Sequence, residues 1–135
     1  MSLGDTGIVV GTARSERADA IDLVRRWFDL LASQDVSGAA SLMSASPVIV
    51  TSGGVRYASL PAFVDAMAER VATVRKQCEY FEACEAPGGF AVYVRGGMSG
   101  VWPDGRSFTA VRWVDRLLVQ GGRISEVQTW SDLSR

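Results

Sequence analysis

The stretch RWVDRLLVQGGRISEVQTWSD, residues 112–132, decides the fold. Val111, Trp113, Asp115 and Leu117 fall on alternate positions, so they share one face of an extended chain. Gln120-Gly121-Gly122 is a tight turn, and Arg123–Ser131 returns antiparallel. Working outward, Ser107–Val119 is one long strand. Pro103-Asp104-Gly105 turns it against an equally long strand, Phe90–Trp102. Pro87-Gly88-Gly89 then separates Cys78–Ala86. Four strands joined by short turns make an antiparallel meander.

Before Cys78 the period changes from two to 3.6. Ser15 is placed as an N-cap, and Ala20, Ile21, Val24, Trp27, Phe28 and Leu31 repeat at helical spacing. Asp35 caps a short second helix ending near Met43. Pro47 moves Ser46 out of the helical region, and Val48–Thr51 is a short strand closed by Ser52-Gly53-Gly54. Ser59 caps a third helix with Pro61 in its first turn, and Leu60, Phe63, Val64, Met67, Val71 and Val74 form its stripe. Helices first and hairpins after define an α+β class, with three helices on the concave side of one curved antiparallel sheet. Residues 1–14 read as a flexible arm, and 15–135 as a single domain. Both faces of the long strands carry apolar side chains, and three helices cover only one face. The convex face, read as Phe90, Val92, Val94, Val114 and Trp130, is therefore expected to pair with a second copy.

Composition narrows the function. The chain has 135 residues, 47% hydrophobic and 21% charged, with a net charge of −1. Such a chain builds a core unaided and has no basic stripe for nucleic acid. There is no histidine. This removes Ser-His-Asp and Cys-His nucleophile systems and His-ligated metals. Six residues separate Cys78 from Cys84, about 20 Å along a strand, too far for a disulfide. Two free thiols suit a reducing cytoplasm. No apolar run reaches membrane-spanning length. The glycine pairs do not form a dinucleotide-binding fingerprint. Neither cofactor nor metal is expected.

The order of elements resembles the cone-shaped fold of the NTF2-like superfamily, and within it the SnoaL-like cyclases and the ketosteroid isomerases. The resemblance spans about residues 16–132. It rests on Asp115 preceding the Gly122-Arg123-Ile124 hairpin and on RWFDLLASQDVSGAASLM, residues 26–43, which matches a ketosteroid-isomerase first and second helix without gaps. The resemblance implies an apolar pocket enclosed by the sheet. It puts Trp27 where those isomerases hold a tyrosine, Thr51 where they hold the aspartate base, and Asp115 on the protonated carboxyl that donates to the oxyanion. Compared with limonene-epoxide hydrolase, Arg95 matches the arginine, while Gly97 and Thr129 replace its two carboxylates. Neither parent reaction is implied; a related isomerase, cyclase or lyase is.

Asp115 is therefore the candidate catalytic group. The candidate ligand-binding residues are Trp27, Thr51, Phe63, Met67, Tyr93, Arg95, Trp113 and Thr129. Aromatic walls suit a small apolar or aromatic ligand, such as a ketone or polyketide-like molecule. Two geometries remain open for Asp115. In one it is buried without a cation and acts as a neutral acid. In the other, a β-bulge between Phe108 and Val111 brings Arg95 opposite it, and the pair binds an anionic or polar ligand. Three functions follow: a cofactor-free enzyme, a binding module for a hydrophobic molecule, or a homodimerising domain.

Overall fold

The computed structural model describes residues 2–133, with side chains from Glu16 onward. Helix α1 spans Ser2–Ala32, α2 Val36–Ser41 and α3 Leu60–Arg70. The strands are β1 Met43–Val50, β2 Arg56–Tyr57, β3 Thr73–Ala86, β4 Gly89–Val101, β5 Ser107–Gln120 and β6 Arg123–Ser131. They form one sheet in the order β2-β1-β6-β5-β4-β3, antiparallel throughout except for β1 beside β6. No helix among the described residues is long and apolar enough to cross a membrane.

The caps carry the local logic. Asp35 accepts from the Gly38 N–H at 2.8 Å and starts α2. Ser59 accepts from the Ala62 N–H at 3.2 Å and starts α3, with Pro61 in the first turn. Ser15 does not cap α1, because helical backbone continues back to Ser2. The side chains of the expected arm lie outside the described residues. Helix α3 ends at Arg70, and Val71 is already extended. Val74 fits a helical stripe by spacing, yet it stands 43% exposed on β3, which begins at Thr73 rather than at Cys78. Pro47 sits inside β1, where the ladder skips from Met43↔Ile124 to Val48↔Glu126, so its missing N–H breaks no pairing.

Three bulges curve the sheet. Glu79 on β3, the Thr109-Ala110 stretch on β5 and Ser125 on β6 all fall where the register shifts. Ala110 adopts φ +55°, a left-handed conformation that the extra residue requires. The loop before it holds three residues, because the Trp102 N–H donates to the Arg106 carbonyl at 2.8 Å. The longer loop slips the register by one residue, and the bulge slips it back. Arg95 consequently pairs with Val114, and Val94 with Asp115.

This pairing fixes the faces. Phe90, Val92 and Val94 point into the core, contrary to the expected outer placement. Tyr93 and Arg95 face outward instead. The core gathers Val24 and Trp27 of α1, Ile49 of β1, Leu60 of α3, and Leu117, Ile124 and Val127 of the sheet.

Candidate functional site

Asp115 is the one buried charged residue among the described residues, 1% exposed on the concave face of β5. A lone buried carboxylate would be costly, and this one has a partner. Lys76 on β3 donates from Nζ to Asp115 Oδ2 at 3.0 Å. The same ammonium lies 4.4 Å from the Trp113 ring centre and 5.9 Å from that of Phe28. The carboxylate and the ring faces both stabilise a cation at this point. Asp115 Oδ1 and Trp27 Nε1 are buried, and each lacks a hydrogen-bond partner. The Lys76 side chain is 27% exposed, so the pair can be reached from solvent.

The β3 bulge makes this geometry. Counting back from Phe81 by strict alternation would place Glu79 and Gln77 inward and Lys76 outward. Glu79 is bulged out between Cys78↔Gly96 and Tyr80↔Arg95, so Lys76, Cys78 and Phe81 all face the interior. Gly96 accommodates the bulge: a Cβ there would come within 1.8 Å of the Gln77 carbonyl oxygen. Gly96→Ala should therefore cost about 2–3 kcal/mol by overpacking and loosen the Lys76–Asp115 contact. Chemical denaturation reads the first effect; a cost under about 0.5 kcal/mol would mean that the bulge relaxes freely.

Trp113 is locked by its indole N–H, which donates to the Gly97 carbonyl at 3.0 Å, and by Phe28 with ring centres 5.7 Å apart. Phe28 also meets Phe81 edge-on at 6.4 Å. Arg25 stacks over the outer side of that cluster, 4.1 Å from the Phe81 ring centre. Thr129 pairs with Asp115 from β6, and its carbonyl accepts from Ser52 Oγ at 3.4 Å. Thr51 precedes that serine, and its own hydroxyl donates to the Val55 carbonyl at 3.4 Å. Phe63 on α3 meets Tyr57 edge-on at 5.8 Å, and Met67 is half-buried one turn later.

Asp115, Trp113 and Thr129 thus share the concave face, and Trp27 joins the same core. Tyr93 and Arg95 do not. Arg95 stacks on Tyr80 with its guanidinium 4.3 Å from the ring centre, on the convex face. A bulge between Phe108 and Val111, one of the two geometries left open, is present, but the three-residue loop cancels its effect on Arg95. A cation does face Asp115, and it is Lys76. The cation-free placement of Asp115 is likewise corrected, since the Lys76 ammonium lies 3.0 Å from its carboxyl oxygen.

Lys76 is the residue that pattern reading missed. A helix extended to Val74 and a strand begun at Cys78 leave it in a connecting loop. One compositional signal could have found it: Lys76 is the only lysine, the other thirteen basic residues being arginine.

Cys78, on the same strand face, has its thiol pushed above the ordinary value by burial; Lys76 pulls it back less strongly. Cys78 and Cys84 are both free, as expected. A raised pKa keeps the folded thiol protonated, so alkylation at pH 7 should reach exposed Cys84 before half-buried Cys78. Peptide mapping after brief iodoacetamide treatment checks the order, and equal labelling would contradict it.

A cleft of about 630 Å³ lies beside the middle of α1, between Glu16, Asp19, Asp22 and Arg26 and the glycine turns at 88–89 and 121–122. None of the expected site residues lines it.

No family model and no curated protein matches the sequence. Solved structures do match. An NTF2-like protein of unknown function from Burkholderia pseudomallei superposes with a TM-score of 0.73 at 17% identity, covering 84% of this chain and 91% of that one. TerC, co-crystallised with polyporic acid, gives 0.73 at 16% identity, covering 84% and 92%. An inferred polyketide cyclase from Xanthomonas campestris gives 0.67 at 17% identity, covering 84% and 90%. The chain has the NTF2-like α+β fold, with the curved sheet wrapped around its helices.

Proposed function

We propose that the chain is a cofactor-independent small-molecule enzyme of isomerase, cyclase or lyase type, acting on an apolar ketone or polyketide-like molecule. The observation that carries this reading is the Lys76 ammonium, held on an aromatic concave face by one hydrogen bond to buried Asp115. An ammonium has three N–H donors, so two remain for a ligand oxygen. Directed at a carbonyl, they stabilise the negative charge that develops on that oxygen as an enolate forms. Lys76 thereby takes the donor role first assigned to Asp115, and Asp115 positions it. Trp113 and Phe28 offer flat apolar surface to the rest of the ligand. The polyporic acid held by TerC and the cyclase assignment of another fold neighbour support a small organic ligand. Binding without turnover is the second reading, favoured by Thr51, which puts no carboxylate where the isomerases place their base.

The test uses 2-acetylnaphthalene. Calorimetry should show saturable binding that falls at least tenfold in Lys76→Met, about the worth of one charge-assisted hydrogen bond. Wild-type protein in D2O should also speed exchange of the ketone's methyl protons. Binding without exchange supports the binding module, and no binding to wild type overturns both readings.

We also infer a homodimer through the convex face. Tyr80, Arg95, Val114 and Trp130 form one continuous row across four strands. Tyr80 is 53% and Trp130 48% exposed. The adjoining row carries Glu82, Tyr93 and Arg116, so the patch offers both charges to a twofold copy of itself. Sedimentation at micromolar concentration should give a dimer, and Trp130→Lys a monomer. A monomeric wild type would refute the interface. With two free thiols, the protein fits a reducing cytoplasm.

A further inference from the structure

We infer that Lys76 is an imine-forming amine: it condenses with an aldehyde or ketone ligand to give a protonated Schiff base whose counter-ion is Asp115. The inference deepens the ketone-site reading and rests on it.

Three observations converge. Thirteen of fourteen basic residues are arginine, which cannot act as a nucleophile at any ordinary pH, and the single lysine is the one that faces the interior. Its amine touches a carboxylate able to take and return a proton, at 3.0 Å. That carboxylate's second oxygen, Oδ1, is buried and free of any hydrogen-bond partner.

The step balances. The Lys76 ammonium passes one proton to Asp115, and the free amine attacks the carbonyl carbon. A C–N bond forms as the C=O π electrons move to oxygen. A proton moves from nitrogen to that oxygen, giving a neutral carbinolamine. Asp115 returns its proton to the hydroxyl, which leaves as water, and a C=N bond forms with its proton on nitrogen. One cation enters and one cation remains at the same place. The carboxylate and the Trp113 and Phe28 rings that hold the ammonium therefore also hold the iminium, so the site forfeits no electrostatic stabilisation on condensation. The apolar surroundings favour the direction that expels water.

The experiment uses trans-cinnamaldehyde with sodium cyanoborohydride, and cinnamyl alcohol as the carbonyl-free control. Intact mass and peptide mapping should show one stable cinnamyl group on Lys76, formed at least tenfold faster than on the N-terminal α-amine. The alcohol should compete with it. Asp115→Asn should slow labelling at least tenfold. Lys76→Arg should take no label internally. If wild type binds the alcohol but Lys76 labels no faster than the α-amine, the imine is refuted and the site reading stands. If the alcohol neither binds nor competes and Lys76 is unlabelled, both fall. Labelling unaffected by Asp115→Asn would also refute the counter-ion role.

Discussion

Lys76→Ala should lower stability by about 3 kcal/mol, the lower end of the range for removing one partner of a buried ion pair. The loss comes from what remains. Asp115 is 1% exposed, and both its oxygens would then lack partners. Lys76 is itself 27% exposed, which keeps the figure at the low end. For a chain of this length the melting temperature should fall by about 10 °C. The double change Lys76→Met with Asp115→Leu should recover most of that loss, because two apolar side chains of similar volume need no partners. A single variant within 2 °C of wild type would mean that the pair is solvated. A double variant less stable than the single would mean that the pair contributes more than mutual neutralisation. Recovery in the double variant would mark the pair as a device for ligands rather than as a source of stability.

Leu117→Ala should cost more, about 4 kcal/mol, with a fall of about 13 °C in melting temperature. Leu117 has no exposure and sits in the second half of β5, paired with Val92 and Val127, both buried. Rigid neighbours on either strand limit how far the cavity can collapse, which sets the cost in the upper half of the usual range for such truncations. Val55→Ala, at a position 53% exposed between β1 and β2, should change stability by no more than about 0.5 kcal/mol. Thermal denaturation of the three proteins side by side checks the ordering. A Leu117 loss as small as that at Val55 would contradict the placement of the core on the concave face.

The fold was readable because its signals are local. Asp35 and Ser59 cap their helices as their side chains dictate, and the Gly121-Gly122 and Pro103-Asp104-Gly105 turns lie where the residues place them. Boundaries were less readable where two periods coincide. Val71 and Val74 continue the stripe of α3 and equally begin a strand, and only tertiary pairing with β4 decides. The site was hardest, because it depends on counting. One bulge at Glu79 turns Lys76 inward, and one extra loop residue before Ser107 cancels a bulge and turns Arg95 outward. Each is a one-residue offset, and one residue reverses every side chain along a strand. Asp115 could be placed because it lies just before the short Gln120-Gly121-Gly122 turn, on one alternation with Trp113 and Leu117. Its partner could not, because the partner lies two strands and two register shifts away.

The central claim is that Lys76, inside the concave face against Asp115, is the point where a ligand is held. With one lysine in the chain, protein labelled with 13C,15N-lysine gives one side-chain signal, free of overlap. That signal should differ from free lysine through the nearby Trp113 ring, and it should lose that difference in Trp113→Leu. On addition of 2-acetylnaphthalene the Cε and Nζ resonances should shift saturably, with the same midpoint as calorimetry. A signal at the free-lysine position that does not respond to the ketone would contradict the account at its foundation.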